Sequence, residues 1–473
     1  MSNTLLAQRR VLRSRHLRRV ATFAAVVGAS ALVYGCDSKK ILAVTDPDVA
    51  RPPALVGVAS LPAYRAGAIG DFGNAYDGGN ADVEQVHAVG LLTDEFINTE
   101  TFPTRIEIDQ RSQSLTNTSL NVTYYDLQRA RVSSERAAAA YASYAKSAAD
   151  SAGIGEILAL GGMTYVLFAE NYCGNVPLSS QNPDGSITFG SPLTKTQLLD
   201  SAVSKFTQAL ATNPPASVKN LASVGLGRAK LDQGDFPGAS AAVAAVPANF
   251  QYVYVHDATS GRQNNATWAL TVSVARFGEA NREGTNGLPF QSDGDVKNNP
   301  APDRRVADSL RGGSHRGFDN TTNQFVQMKY PDRSSPIVVA DGVEAQLIIA
   351  EAQLKSGDAA GALTTLNNLR ANSSVITARG YPGPLAPLTL QTTTAAQVDQ
   401  LFRERAYWLY LTSHRLGDMR RLITQYGRAP ETVFPTGVYF KGGNYGTDVN
   451  IPVPFSEQNN PNYTPAACDK TKA

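Results

Sequence analysis

The chain has 473 residues, 42% hydrophobic and 18% charged, ample for a large hydrophobic core and too apolar for a disordered chain. Its formal charge of +2 misleads, because the first 35 residues hold six arginines and no acid; without them 37 basic residues face 41 acidic ones, a net of −4. That balance excludes nucleic acid as a partner, which needs a basic face, and three cysteines with five scattered histidines leave little material for a metal cluster.

Residues 1–19 are polar and arginine-rich, and Val20–Tyr34 is an apolar run that ends at Gly35-Cys36. A positive head, an apolar stretch of about 15 residues and a small residue at the cut describe an export signal too short to span a bilayer. Leu32-Val33-Tyr34-Gly35-Cys36 resembles a bacterial lipobox, in which the thiol of Cys36 is acylated and holds the new N-terminus to a membrane. Residues 1–35 therefore read as a lipoprotein signal peptide. Residues 36–53, with Pro47, Pro52 and Pro53, read as a lipidated tether. Asp37 leaves the membrane leaflet open, since sorting rules at that position differ between bacteria.

Residues 54–250 form an N-terminal helical region. Apolar spacing and caps predict helices over Tyr124–Lys146, Gly155–Asn171 and Thr196–Ala211. Residues 251–340 are rich in Asn, Gly and Asp without sustained period and read as a loop-rich surface insertion. Within it, Ala266-Thr-Trp268-Ala-Leu270 reads as a core strand. A C-terminal helical region, 341–473, opens with helices over Asp341–Lys355 and Ala359–Ala371 and continues in one long helix, Ala395–Gln425.

An internal repeat crosses these regions. Leu231-Asp-Gln-Gly234-Asp235-Phe-Pro-Gly238-Ala239 matches Leu354-Lys-Ser-Gly357-Asp358-Ala-Ala-Gly361-Ala362 at an offset of 123 residues. Glycine stops one helix, aspartate caps the next and small residues let the two cross closely, the pattern of tetratricopeptide hairpins. The fold class is mainly α, with tetratricopeptide-like helical hairpins and loop-rich insertions.

No catalytic constellation stands out. Gly313-Ser314-His315 places a nucleophile beside a base, but neighbours in a glycine-rich loop seldom face each other. Gly225-Leu-Gly227 is half a dinucleotide fingerprint inside a helix pattern, and so a packing site. Asp94-Glu95 reads as a solvated helix end rather than a glycosidase pair. The densest charged stretch, Arg403-Glu404-Arg405 to Arg420-Arg421, reads as structural Arg–carboxylate pairing beneath the insertion.

That stretch also carries a family likeness. Arg403-Glu404-Arg405-Ala406-Tyr407-Trp408 through His414-Arg415-Leu416-Gly417-Asp418-Met419-Arg420-Arg421 resembles the signature helix of the SusD/RagB family of outer-membrane lipoproteins. Further blocks agree in order. They are Gly155-Glu156 with Gly174-Asn175-Val176-Pro177-Leu178, Asp303-Arg304, Glu344 to Ala352 with Leu366-Asn367-Asn368-Leu369-Arg370, and Ile451-Pro452-Val453-Pro454 with Asn460-Pro461-Asn462.

The resemblance implies a helical lipoprotein on the outer membrane, facing the cell exterior. It would cap a SusC-like TonB-dependent transporter barrel, bind an oligosaccharide or peptide, and have no catalytic residues, cofactor or metal. A periplasmic tetratricopeptide-like scaffold binding another protein is the alternative, and a glycan hydrolase ranks last. For the ligand, the family points to loops between the first helices and to the insertion. Sugar rings stack on aromatics while Arg, Asn and Asp bond hydroxyls, so the candidates are Phe102, Arg105, Asp109, Arg111, Phe277 and Arg282, with Phe96, Gln110 and Phe290 beside them. With Cys36 lipidated, Cys173 and Cys468 remain an even pair in an oxidising compartment, which marks them as a candidate disulfide.

Overall fold

The helices begin where the sequence places caps. We label α1 (Leu61–Tyr76), α2 (Gln85–Leu92), α3 (Pro103–Asp109), α4 (Thr118–Tyr144), α5 (Ile154–Asn171), α6 (Lys195–Ala211), α7 (Ala216–Asp232) and α8 (Phe236–Val243). The computed structural model describes residues 55–79, 82–182 and 186–473. The segments read as signal peptide and tether, with Cys36, lie outside the described residues. Asn117 accepts from the Leu120 N–H at 3.1 Å to open α4. Thr194 and Gln197 exchange backbone and side-chain hydrogen bonds to open α6. Helix α1 packs on α4, α4 on α5 and α5 on α6; α7 and α8 continue the stack. Among the described residues, no helix is long and apolar enough to cross a membrane.

The repeat is real at atomic level. Asp235 caps α8 by accepting from the Gly238 N–H at 2.9 Å. Asp358 caps α10 (Ala359–Ala371) by accepting from the Gly361 N–H at 2.8 Å. Before each cap stands a glycine in the left-handed region, Gly234 at φ 79° and Gly357 at φ 89°. Helix α9 (Gly342–Lys355) packs between α8 and α10, so the two hairpins lie side by side. Gly227 marks the crossing of α7 with α8, where a Cβ would stand 2.4 Å from Val243.

The long helix over Ala395–Gln425 does not form as one piece. The short α11 (Ser373–Ala378) leads to α12 (Thr394–Trp408) and α13 (Arg415–Thr424), and the link between those two turns through left-handed Leu411 and Ser413. Neither glycine nor proline breaks this helix. Tertiary partners do: Glu95 accepts from the Leu411 N–H at 2.9 Å, Tyr330 donates to Leu411 O at 3.1 Å, Tyr76 donates to Thr412 O at 2.6 Å, and Arg228 donates to Ser413 O at 3.1 Å. With its backbone groups met by buried side chains, the link forgoes helical bonds at little cost.

The insertion is not a surface excursion. Strand β2 (Gln251–Tyr254) pairs antiparallel with β6 (Ile337–Asp341), Ile337 opposite Tyr254. Strand β1 (Phe96–Asn98) pairs with β3 (Phe277–Glu279), and β4 (Asp308–Leu310) with β5 (Phe325–Gln327). Leu270, Phe277, Phe290 and Tyr330 are buried in the main core. The segment read as a strand at Trp268 is instead a helical turn, Ala266–Trp268, continued as a π turn over Ala269–Ser273. Asn265 caps it at the Trp268 N–H, 2.6 Å away, a local bond that starts a helical turn instead of a strand.

At the C-terminus, Ile451 exchanges backbone bonds with Asn171 and Cys173 at the end of α5. Cys173 and Cys468 form a disulfide with Cα atoms 5.3 Å apart across a sequence separation of 295.

Candidate functional site

Three turns from distant parts of the chain meet beside β1. The first follows β1 directly: Thr99-Glu100-Thr101-Phe102 runs into α3, with Pro103 at its first position. The second is the turn at Gly317-Phe318-Asp319. The Phe318 N–H donates to Ala275 O at 2.7 Å, and the Asp319 N–H to Thr99 O at 2.9 Å. Gly317 lies so close to Thr99 that a Cβ there would stand 2.3 Å from that side chain. The third is the hairpin tip at Tyr439–Asn444, held where Gln110 Nε2 donates to Asn444 O at 3.0 Å.

Each turn presents one exposed phenylalanine: Phe102 at 42%, Phe318 at 46% and Phe440 at 41%. Charged groups lock them together. The Arg276 guanidinium sits 4.5 Å from the Phe102 ring centre and 4.3 Å from that of Phe318. Buried Glu100 accepts from Arg276 and, at 3.1 Å, from Arg105, whose guanidinium lies 5.4 Å from the Phe102 ring centre. Lys441, next to Phe440, donates to Glu100 O at 2.6 Å and to Asp319 at 2.8 Å. Burial opposes ionisation of Asp319, yet Lys441 and the Thr321 and Thr322 donors hold its carboxyl below the usual carboxylate range. The result is a fixed surface of three rings with nearly balanced charge.

Of the residues singled out in the sequence, Phe102 and Arg105 belong to this group. Asp109, Arg111 and Phe277 do not reach the surface. Asp109 accepts from the Asn98 N–H and the Tyr439 hydroxyl, each at 2.8 Å, and burial with Glu283 nearby pushes its carboxyl well up. Arg111 donates to Asp448 O at 2.9 Å and to Pro435 O at 2.5 Å; burial lowers it to about 10. Phe277 packs on Phe96, ring centres 5.8 Å apart, and Phe290 packs on Tyr407 and Tyr410. Phe96 and Phe277 face inward because β1 and β3 form a buried ladder. Arg282 is exposed, but no contact among the described residues joins it to the three rings.

Arg276, Phe318, Phe440 and Lys441 escaped the sequence reading. An aromatic residue inside a glycine-rich turn was their signal, as in Gly317-Phe318-Asp319-Asn320 and Phe440-Lys441-Gly442-Gly443, because a tight turn leaves the ring nowhere to bury.

The charged stretch is structural. Arg405 donates to Asp418 at 2.8 Å, Arg421 to Asp418 at 2.6 Å, and Arg415 to Asp94 at 2.7 and 2.9 Å, all buried. Asp94-Glu95 is therefore no solvated helix end; both side chains are fully buried. His315 binds Arg311 O at 2.6 Å through Nδ1 and forms no pair with Ser314.

No protein-family model and no curated protein matches this sequence. Solved structures do match its fold. A SusD superfamily protein from Bacteroides thetaiotaomicron has a TM-score of 0.63 at 14% identity, covering 86% of this chain and 99% of its own. The chain has a SusD-like fold. A SusD-like carbohydrate-binding protein from Bacteroides fragilis gives 0.61 at 17% identity over 86% of this chain and 99% of its own. Surface glycan-binding protein A from Bacteroides uniformis gives 0.61 at 13% identity over 87% and 100%. The SusD-like match spans nearly the whole described chain, helical hairpins and insertion together.

Proposed function

We propose that this SusD-like chain is a lipid-anchored protein of the outer membrane, facing the cell exterior. It binds an oligosaccharide across Phe102, Phe318 and Phe440 and passes it to a TonB-dependent transporter barrel. The observation that carries this reading is the group of three exposed rings fixed around Arg276, Glu100 and Lys441. Flat aromatic faces suit the apolar faces of sugar rings, and the charged groups between them bond hydroxyls. Because Glu100 and Asp319 offset the cations, the surface favours a neutral saccharide over a charged peptide. Binding rather than hydrolysis fits the acids present. Both oxygens of Glu100 are taken by arginines, and Asp319, held below the usual carboxylate range, is no protonated acid at neutral pH, as a glycosidase needs. Two of the fold relatives are themselves described as carbohydrate- or glycan-binding proteins.

Glycan and peptide arrays probed with the full chain test the ligand class. Retention on neutral oligosaccharides, lost in Phe318→Ala, is expected; retention on peptides alone would contradict it. For the anchor, Cys36→Ala should move the protein out of the membrane fraction. A variant that still pellets with salt-washed membranes would rule out lipidation.

A further inference from the structure

Away from the three rings lies a cavity of about 760 Å³, within the size range of small-molecule sites. It opens between the β2–β6 ladder, the loop over 328–336 and the turn after α11. Its lining includes Arg379, Arg304, Tyr381, Gln251, Lys329 and Met328, and it shares no residue with the aromatic surface.

The arginines make it unusual. The Arg379 side chain is only 7% exposed, a buried cation. Asp341 takes its Nη2, and among the described residues no other hydrogen bond engages the guanidinium, although that group has five donors. Arg304 is exposed on the same cavity wall and likewise has no partner among the described residues. Neighbouring acids are already committed: Asp341 to Arg379, Asp303 and Glu404 to Arg305. Asp332, the one acid on the lining, is exposed and turned to its own loop at Ser334. The cavity thus carries spare positive charge and unused planar donors beside an apolar wall that includes Met328 and the Tyr381 ring.

We propose that this cavity is a second binding site, for a small sugar-sized ligand bearing a carboxylate, which Arg379 and Arg304 contact through its charged group. A guanidinium fork matches the two oxygens of a carboxylate, and the methyl and aromatic parts of Met328 and Tyr381 cover the rest of the ring. The site is independent of the glycan surface proposed above, so either can fail without the other. Lys329 supplies a second signature. Its amine donates to Tyr410 O on the inner side of the cavity, and burial with Arg379 nearby lowers it to about 7. An anion bound in the cavity stabilises its protonated form, so binding near neutral pH takes up protons.

The chain has four methionines, of which Met163 and Met419 are fully buried while Met328 is half exposed on the cavity. Methyl-labelled methionine therefore reports the site directly by NMR in the full chain. Titration with D-glucuronate should shift the Met328 methyl and leave Met163 and Met419 in place. D-glucose, the same ring without the carboxylate, should not shift it. Arg304→Ala, an exposed change that leaves the buried Arg379–Asp341 pair intact, should weaken glucuronate about tenfold, the loss expected for one charge-assisted contact. Ala378→Trp, which fills the mouth, should abolish the shift, and Phe102→Ala should change nothing. Calorimetry in buffers of different ionisation enthalpy should show proton uptake at pH 7. A Met328 methyl unmoved by glucuronate, or moved equally by glucose, would overturn the proposal. So would native affinity in Arg304→Ala, or inorganic sulfate binding as tightly as the sugar acid.

Discussion

The buried arginines of α7, α12 and α13 and the buried acids beneath the insertion both meet the link over 409–414, and burial leaves the two groups in opposite states. Around α12 and α13, Glu351, Glu404 and Asp418 each pair with buried arginines. Burial alone would raise Asp418, yet Arg405 and Arg421 hold its carboxyl far below the usual carboxylate range. Beneath the insertion, Glu95, Glu279 and Asp308 have no ion pair among the described residues. Burial pushes Glu95 up to about 8 against the bond from the Leu411 N–H, and burial together with Asp295 pushes Asp308 up to about 8. Glu279, raised well above its ordinary value by burial and by Asp308, has no hydrogen-bond partner on either oxygen among the described residues. The helical stack is thus registered by charge pairs, which fix one docking geometry, and the insertion is seated by neutral acids. Equal burial does not mean equal electrostatics; the partner decides.

Breaking the paired side should cost most. Asp418→Ala removes the carboxylate shared by buried Arg405 and Arg421, leaving them Glu351 and Asp232, and should remove about 3 kcal/mol of stability, read by urea unfolding. A loss under about 1 kcal/mol would mean that the arginines find other partners.

The two sides should also respond to pH with opposite sign. Asp418 is more acidic folded than unfolded, so its contribution is full above about pH 4 and is lost as pH falls further. Asp308 and Glu95 are less acidic folded than unfolded. Their contribution is full below about pH 4 and is lost as pH rises through 8. Asp308→Asn should therefore match the wild type only at or below about pH 4 and exceed it by a margin that grows to on the order of 5 kcal/mol at pH 8.5. Melting curves across that range check it, and a difference independent of pH would mean that Asp308 is ionised in the fold.

Smallest is the effect at the repeated caps. Asp235→Ala and Asp358→Ala each remove one cap bond, the former also a partly exposed Lys230 pair, and should each cost about 1 kcal/mol. Nearly equal values, read by denaturant titration, would show the two hairpins energetically as well as geometrically alike. A twofold difference would separate them.

What the sequence made legible follows from range. Helix α10 was readable to the residue, and the caps at Asp235 and Asp358 were visible because their signals span only a few positions. The break at Leu411 was not, since it is imposed by Glu95, Tyr76 and Tyr330 from remote segments. The insertion looked like surface because its short strands bury mixed polar and apolar residues, Gln324 and Asp308 as deeply as Phe277. For the candidate site, Phe102 and Arg105 were readable as an aromatic and a cation in an early loop. Phe318 and Phe440 join them only through Arg276 and Lys441, across separations that no local pattern records.

Calorimetric titration of the full chain and of the variant Phe102→Ala/Phe318→Ala/Phe440→Ala with a neutral oligosaccharide retained on the array tests the central claim most directly. The three rings are exposed, so the variant should melt within about 2 °C of the wild type. Loss of measurable binding by that folded variant is the predicted result. Native affinity with all three rings removed would contradict the assignment of this surface as the ligand site.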